Sequence, residues 1–199
     1  MRNPERFTTL VLGTFVFAYY LLLAVQGARV WKHIGHCPIA VVTQGGLANF
    51  LHAAAALSGP VPVLVWAWCP PCLSFAALPS LESWPIRMLG LLALCFAFSA
   101  GYLSILELGD SWRIGIDSVG ATKLVDTGIY ASIRHPIYGS MILGLAGVFL
   151  MSANLAFAAL FALGTAGAIY QARREERFFQ DSLGASYSNY RKKTGLFYP

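Results

Sequence analysis

Between Gly128 and Tyr138 the chain reads Gly-Ile-Tyr-Ala-Ser-Ile-Arg-His-Pro-Ile-Tyr, and an acidic pair, Glu175 and Glu176, follows one hydrophobic hairpin later. Two apolar runs, 137–152 and 155–171, separate the clusters and meet at Ser152, Ala153 and Asn154, so both clusters return to one face. A site built there can hold a charged cofactor beside an apolar substrate. Pro136 suits the first position of a helix, where its missing N–H is no loss. His135 then sits at the N-terminus, where free N–H groups and the positive dipole end favour an anionic or carboxylate-bearing ligand. Tyr130 and Tyr138 flank it with ring faces and hydroxyls. Glu175 and Glu176 point about 100° apart on a helix, so one faces a ligand while the other pairs with arginine. Carboxylates near a bilayer mark binding pathways or cavities. Taken singly, Arg134 is a snorkelling residue and each tyrosine a belt residue; the chemistry rests on their clustering.

The elements that must position these groups are membrane helices. Hydrophobic residues make up 57% of the 199 and charged residues 12%, bunched in long runs and not at amphipathic spacing. Crossing a core of about 30 Å takes about 20 helical residues. Regions 7–25, 85–106, 137–152 with its flanks and 155–172 qualify, and 47–68 is a fifth, kinked or broken by Pro60 and Pro62. Alternating strand segments of a β-barrel are not seen. The first run is too long for a signal core and reads as a retained span. The expectation is an all-α integral membrane helical bundle of about five transmembrane helices, with a C-terminal helical hairpin and an interfacial amphipathic helix. It forms one domain over 1–199: scaffold spans in 1–106 and the chemistry in 107–199.

Orientation follows the basic residues. With the N-terminus outside, Arg2, Arg6 and Arg87 stay outside, while the other eleven of the 14 Lys and Arg fall inside. Both clusters then face the cytoplasm. The net charge of +5 reflects this topology and attraction to lipid headgroups, and no nucleic-acid partner is implied. Ser140 with Gly144, and Gly164 with Ala168, give small-xxx-small spacing expected to bring the hairpin helices together.

The stretch from Glu107 to Pro136 reads as a folded interfacial loop with turns at Gly109, Gly115, Gly120 and Gly128, and with Trp112 anchored at headgroup depth. Past the acidic pair, Phe179, Leu183, Tyr187 and Tyr190 form an aromatic face at helical spacing, bent at Gly184 and able to lid the site. Cys69-Pro-Pro-Cys72 has redox spacing but follows a broken span, which favours at most a disulfide on an oxidising outer face. His33, His36 and Cys37 lie on the other face and read as interfacial packing, not as metal ligands; no metal is expected. His52 and Cys95 read as core residues within spans.

Gly-x-Tyr ahead of Arg-His-Pro-x-Tyr, a short hairpin, a Glu-Glu pair, Leu-Gly-x-x-Tyr-x-x-Tyr and an apolar ending with proline together resemble the isoprenylcysteine carboxyl methyltransferase and phospholipid methyltransferase superfamily. The resemblance covers 107–199, and the first 106 residues carry no family motif. It implies a small bundle of membrane helices with S-adenosylmethionine bound in a cytosol-facing pocket. It further implies cofactor contacts from His135, Pro136, Tyr138, Glu175 and Glu176, and from Leu124, Val125, Gly128 and Tyr130 on the adjoining loop. Tyr187, Tyr190, Leu196 and Phe197 would close the pocket. One position departs from the pattern: the carboxyl methyltransferase branch has arginine four residues before the acidic pair, where this chain has Gln171.

The function implied is methyl transfer to a lipophilic, membrane-dissolved acceptor, with Arg134, Arg173 and Glu175 as candidate catalytic residues. For an amine or phenol acceptor, Glu175, Glu176 or His135 can serve as base. No Gly-x-Gly-x-x-Gly occurs, so a Rossmann site is unsupported. The alternatives are a membrane NADPH-dependent reductase of the sterol reductase type, which shares the acidic and Gly-x-x-Tyr-x-x-Tyr pattern, and a non-enzymatic membrane protein.

Overall fold

The computed structural model describes residues 4–35, 37–38, 60–69, 76–114 and 124–199. Its helices are α1 (Pro4–Ile34), α2 (Pro60–Trp68), α3 (Trp84–Leu108), α4 (Pro136–Ser152), α5 (Leu155–Leu183) and α6 (Ala185–Lys193). Among the described residues the only β pairing is two isolated bridges, Ala77 with Asn154 and Ile133 with Gly195. The all-α membrane architecture expected from composition is present. Helices α1, α3 and α5 are long and apolar enough to cross a membrane, and α4 is a shorter apolar helix. Of the fifth expected span, 47–68, only Pro60–Trp68 lies within the described residues, where the chain is helical; the chain before Pro60, on the other side of the expected break, lies outside them. His36, His52, Gly115, Gly120, Lys123 and Cys72 fall outside the described residues.

The hairpin α4–α5 turns as its residues predict. Ala153 takes a left-handed φ of 47° at the end of α4, and the Asn154 side chain caps α5 by accepting from the Ala156 N–H at 2.9 Å. The two arms differ in length, 17 residues against 29. At 1.5 Å per residue α4 spans only about 26 Å, less than the bilayer core. Its first turn is therefore level with residues 171–176 of α5, and anything built between them lies recessed at the edge of the apolar slab.

Ser140, Gly144 and Gly147 of α4 face α3, not the hairpin partner. A Cβ on Gly90 would come within 2.8 Å of the Gly147 carbonyl, one on Gly101 within 2.9 Å of Ser140 Oγ, and one on Gly144 within 3.6 Å of Ala97. Positions rising along α3 meet positions falling along α4, so the helices are antiparallel with their backbones nearly touching. Ser140 and Gly144 thus belong to a different seam from the one expected. Gly164, packed under Leu145, joins α5 to α4 in the manner foreseen. The close α3–α4 approach suits a medium in which van der Waals packing, and not exclusion of water, drives helix association.

Arg87, expected in an outer loop, is buried. Its guanidinium donates to Thr8 Oγ1 at 2.8 Å and to the Met151 carbonyl at 3.0 Å, tying the starts of α1 and α3 to the end of α4. Beside it an apolar cluster of Leu12, Val63, Trp66, Leu94, Met151 and Phe157 fills that end of the bundle. Trp112 is also buried, packed with Val30 and Ile105 where the interfacial anchor was expected. The turn after α3 folds it inward: Gly109 closes that helix at φ 50° and a 3-10 turn, Gly109–Ser111, follows. Cys95 is exposed on α3, a lipid-facing position and not a core one.

Candidate functional site

The polar cluster forms where four elements meet: the C-terminus of α3, the first turn of α4, residues 171–176 of α5, and α6 with the tail after it. Glu107, at the end of α3, accepts the Ile129 N–H at 2.7 Å. Gly128 adopts φ 53° in the 3-10 turn Gly128–Ala131, and a Cβ there would run into the Glu107 carboxylate. Glycine is thus favoured by the left-handed conformation, while the crowding is with the end of the Glu107 side chain, which can shift. The turn delivers Tyr130 into the protein, with its hydroxyl 3.4 Å from the Ser104 carbonyl.

From there the chain is stitched to its own C-terminus. Arg134 N–H donates to the Gly195 carbonyl at 2.9 Å, His135 N–H to Leu196 at 3.0 Å, and Gly195 N–H to Ser132 at 2.9 Å. Phe197 comes over the imidazole at 6.5 Å between ring centroids, and Tyr138 flanks it at 5.8 Å. The lack of a side chain at Gly139 admits the Phe197 backbone, since a Cβ would be 3.0 Å from its carbonyl. The positive end of α4 therefore meets the protein's own tail and carboxylates.

The acidic pair divides as the helix geometry predicts. Glu176 Oε1 accepts from Arg134 Nε at 2.8 Å, His135 Nε2 at 3.2 Å and Tyr187 Oη at 2.7 Å, while its Oε2 is 3.4 Å from Arg191 Nε. Arg134 is further engaged by the Arg191 carbonyl at 3.1 Å, by Thr194 Oγ1 at 3.2 Å and by the Thr194 carbonyl. Both side chains of this ion pair are only 10% exposed. Glu175 turns to the other side: its Oε1 accepts from Tyr138 Oη at 2.6 Å and from Gln171 Nε2 at 3.1 Å, and its Oε2 lies 3.6 Å from His135 Nδ1. His135 thus stands between the two carboxylates.

The aromatic face packs over this knot. Phe179 and Tyr187 stack at 5.5 Å, Tyr187 and Tyr190 at 5.9 Å, and Gly184 sets the bend between α5 and α6. Tyr190 Oη donates to the Tyr130 carbonyl at 2.7 Å. Burial first, and the Glu176 carboxylate second, push the Tyr187 hydroxyl upward and keep it a donor. Tyr130 is likewise pushed up, chiefly by burial. Tyr190 is pushed up to about 12, again with burial the leading cause.

Of the sequence-predicted residues, Gly128, Tyr130, Arg134, His135, Pro136, Tyr138, Glu175, Glu176, Tyr187, Tyr190, Leu196 and Phe197 come together here. Leu124 and Val125 are half-buried on the segment leading into the 3-10 turn. Arg173 is not brought in: it is exposed, while its neighbours Gln171, Ala172 and Glu176 are buried. Sequence reasoning gave no role to Glu107 or Thr194. An acidic residue closing an apolar helix was the available signal for the first; nothing local marks the second, whose carbonyl and hydroxyl meet Arg134 only through the fold.

These features define a helical membrane protein with a cluster of ionisable groups at one end of the bundle. Residues 88–180 match the profile of the isoprenylcysteine carboxyl methyltransferase (ICMT) family. The chain is similar to the cobalt-zinc-cadmium resistance protein CzcN of Cupriavidus metallidurans, 32% identical over 100 residues that cover 49% of this chain and 45% of that protein. It therefore spans less than half of that curated relative. Its fold is similar to a solved eukaryotic intramembrane Ras methyltransferase, isoprenylcysteine carboxyl methyltransferase, with a TM-score of 0.63 and 18% identity, covering 100% of this chain and 68% of that one. The profile match covers just under half of the chain, and the likeness to the solved structure is one of fold.

Proposed function

We propose that this chain is an integral membrane methyltransferase that takes S-adenosylmethionine as methyl donor and methylates a lipophilic acceptor delivered from the bilayer. The observation that carries this reading is the single network joining His135, Tyr138, Glu175 and Glu176 with the aromatic residues of α6 and the tail. Its chemistry fits the donor, whose sulfonium and ammonium are cations: carboxylates and electron-rich ring faces attract them. The donor supplies an activated methyl group. His135, Tyr138, Glu175 and Glu176, with Leu124, Val125, Gly128 and Tyr130 alongside, would bind and orient it. Tyr187, Tyr190, Leu196 and Phe197 would exclude water, which favours a step in which charge is lost. Alignment of donor and acceptor would contribute about 7–11 kcal/mol.

The site end is assigned to the cytoplasm. The distribution of Lys and Arg supports this. So does Cys69, which is disulfide-bonded after a helix whose Trp66 packs on Phe157 at the opposite end, 6.1 Å between ring centroids; a disulfide suits an oxidising compartment there. Cysteine labelling of an engineered tail position in intact cells is expected to fail from outside, and labelling from outside would reverse the orientation.

Equilibrium binding to the purified chain tests the main reading. S-adenosylmethionine is expected to bind and NADPH not to, with Glu176→Gln and His135→Ala each weakening the donor while the protein stays folded. Binding of NADPH alone would turn the assignment to a reductase.

A further inference from the structure

The two adjacent carboxylates are in different chemical states of engagement. Glu176 has three donors on Oε1 and Arg191 near Oε2, so it shapes the methyl-donor site by holding Arg134, His135 and Tyr187 in place. Glu175 takes neutral donors, Tyr138 and Gln171, on Oε1 alone. Its Oε2 faces His135 Nδ1 at 3.6 Å, beyond hydrogen-bond distance, and its side chain is 17% exposed against 10% for Glu176. One lone-pair-bearing oxygen is thus left open at the recessed edge of the bilayer.

Arg134 and Arg191 are already engaged by Glu176. Arg134 is held by Glu176, by the carbonyls of Arg191 and Thr194, and by the Thr194 hydroxyl. Arg191 lies against the far oxygen of Glu176 with its side chain 58% exposed. Arg174 reaches only the Gln171 side-chain carbonyl, at 3.4 Å. Gln171 is itself buried, 3% exposed, and its neutral amide fixes Glu175 without cancelling its charge. An acceptor carboxylate entering beside Glu175 would set two negative charges together in a low-dielectric site, which neighbouring carboxylates do not tolerate.

We propose that Glu175 Oε2 is the proton acceptor of the transfer, with Gln171 its positioning residue, and that the acceptor group is a neutral X–H nucleophile, an amine, hydroxyl or thiol on a lipophilic body, not a carboxylate. This rests on the methyltransferase reading above. In the step, the lone pair of X forms a bond to the methyl carbon as the carbon–sulfur bond breaks and its pair returns to sulfur, leaving a neutral thioether. The X–H proton passes to Glu175 Oε2 and is later released to water.

The test uses the full chain in lipid nanodiscs, with methyl-labelled donor and probes on one body: dodecylamine, 4-dodecylphenol, dodecanethiol and dodecanoate, with a farnesylcysteine carboxylate added. Label is expected in a base-stable product from at least one X–H probe, about tenfold or more above either carboxylate. Glu175→Gln keeps a side-chain carbonyl for Tyr138 and Gln171, and is expected to slow that transfer by about 100-fold or more. Equilibrium binding of the same probe should change little in that variant. Gln171→Arg is expected to tighten equilibrium binding of dodecanoate, read without turnover, by about tenfold. Ester formation on a carboxylate at or above the X–H rate, an unimpaired Glu175→Gln variant, or a bound donor with no X–H transfer would each overturn the proposal. Failure of the donor to bind at all would instead remove the methyltransferase reading, and this inference with it.

Discussion

The two ends of the bundle solve the same problem in different ways. At the Arg87 end one guanidinium is satisfied by a hydroxyl and a carbonyl, the hairpin turn is capped by Asn154, and apolar side chains close over both. At the Glu175 end two carboxylates, an imidazole, a guanidinium and several phenols are gathered where apolar packing alone would be cheaper. A buried polar group in lipid must find a partner, so a purely structural end needs few of them. The gathering of these groups at the other end is what the proposed site rests on.

That contrast can be broken most sharply at Arg134. Removing it leaves Glu176 buried without its strongest partner, and Arg134→Ala is expected to lower stability by about 3–5 kcal/mol. Thermal unfolding in detergent measures the loss, and donor binding should vanish with it. Arg87→Met makes the converse experiment. It removes the guanidinium that bonds Thr8 Oγ1 and the Met151 carbonyl, for a loss of about 1–3 kcal/mol, but methyl-donor affinity measured on the folded fraction should be unchanged. If affinity falls with Arg87, the two ends are not separable.

Smaller effects sharpen the same division. Asn154→Ala removes the cap of α5 and is expected to cost about 1 kcal/mol, again in stability and not in donor binding. The smallest effect is a titration at the site end. The Tyr190 hydroxyl, raised from an ordinary 10.0 to about 12 mainly by burial, must be protonated to hold the Tyr130 carbonyl. Its contribution to stability is therefore complete below pH 10 and is lost as pH rises through about 12. The tyrosinate absorbance of wild type minus that of Tyr190→Phe should show this late transition, and a step near 10.0 would mean that the latch is open.

Composition, run length and turn chemistry determined that this is a bundle of membrane helices, where the α4–α5 hairpin turns, and that residues 128–138 meet 175–176, because these depend on local propensity and on equal distances along two arms of one hairpin. The aromatic face of α5 and α6 was legible for the same reason: helical period alone sets it. What the chain does across long separations was decided only by tertiary structure. Ser140 and Gly144 carry a spacing that says they pack closely, but not against which helix, and only the antiparallel match with Gly90, Ala97 and Gly101 assigns them to α3. Arg87 and Trp112 have compositions that suit a surface, yet burial is set by what lies opposite, Thr8 with Met151 in one case and Val30 with Ile105 in the other. Likewise the difference between Glu175 and Glu176 is invisible in an Glu-Glu pair; it arises because a helix turns them about 100° apart, toward partners supplied by segments that only folding brings together.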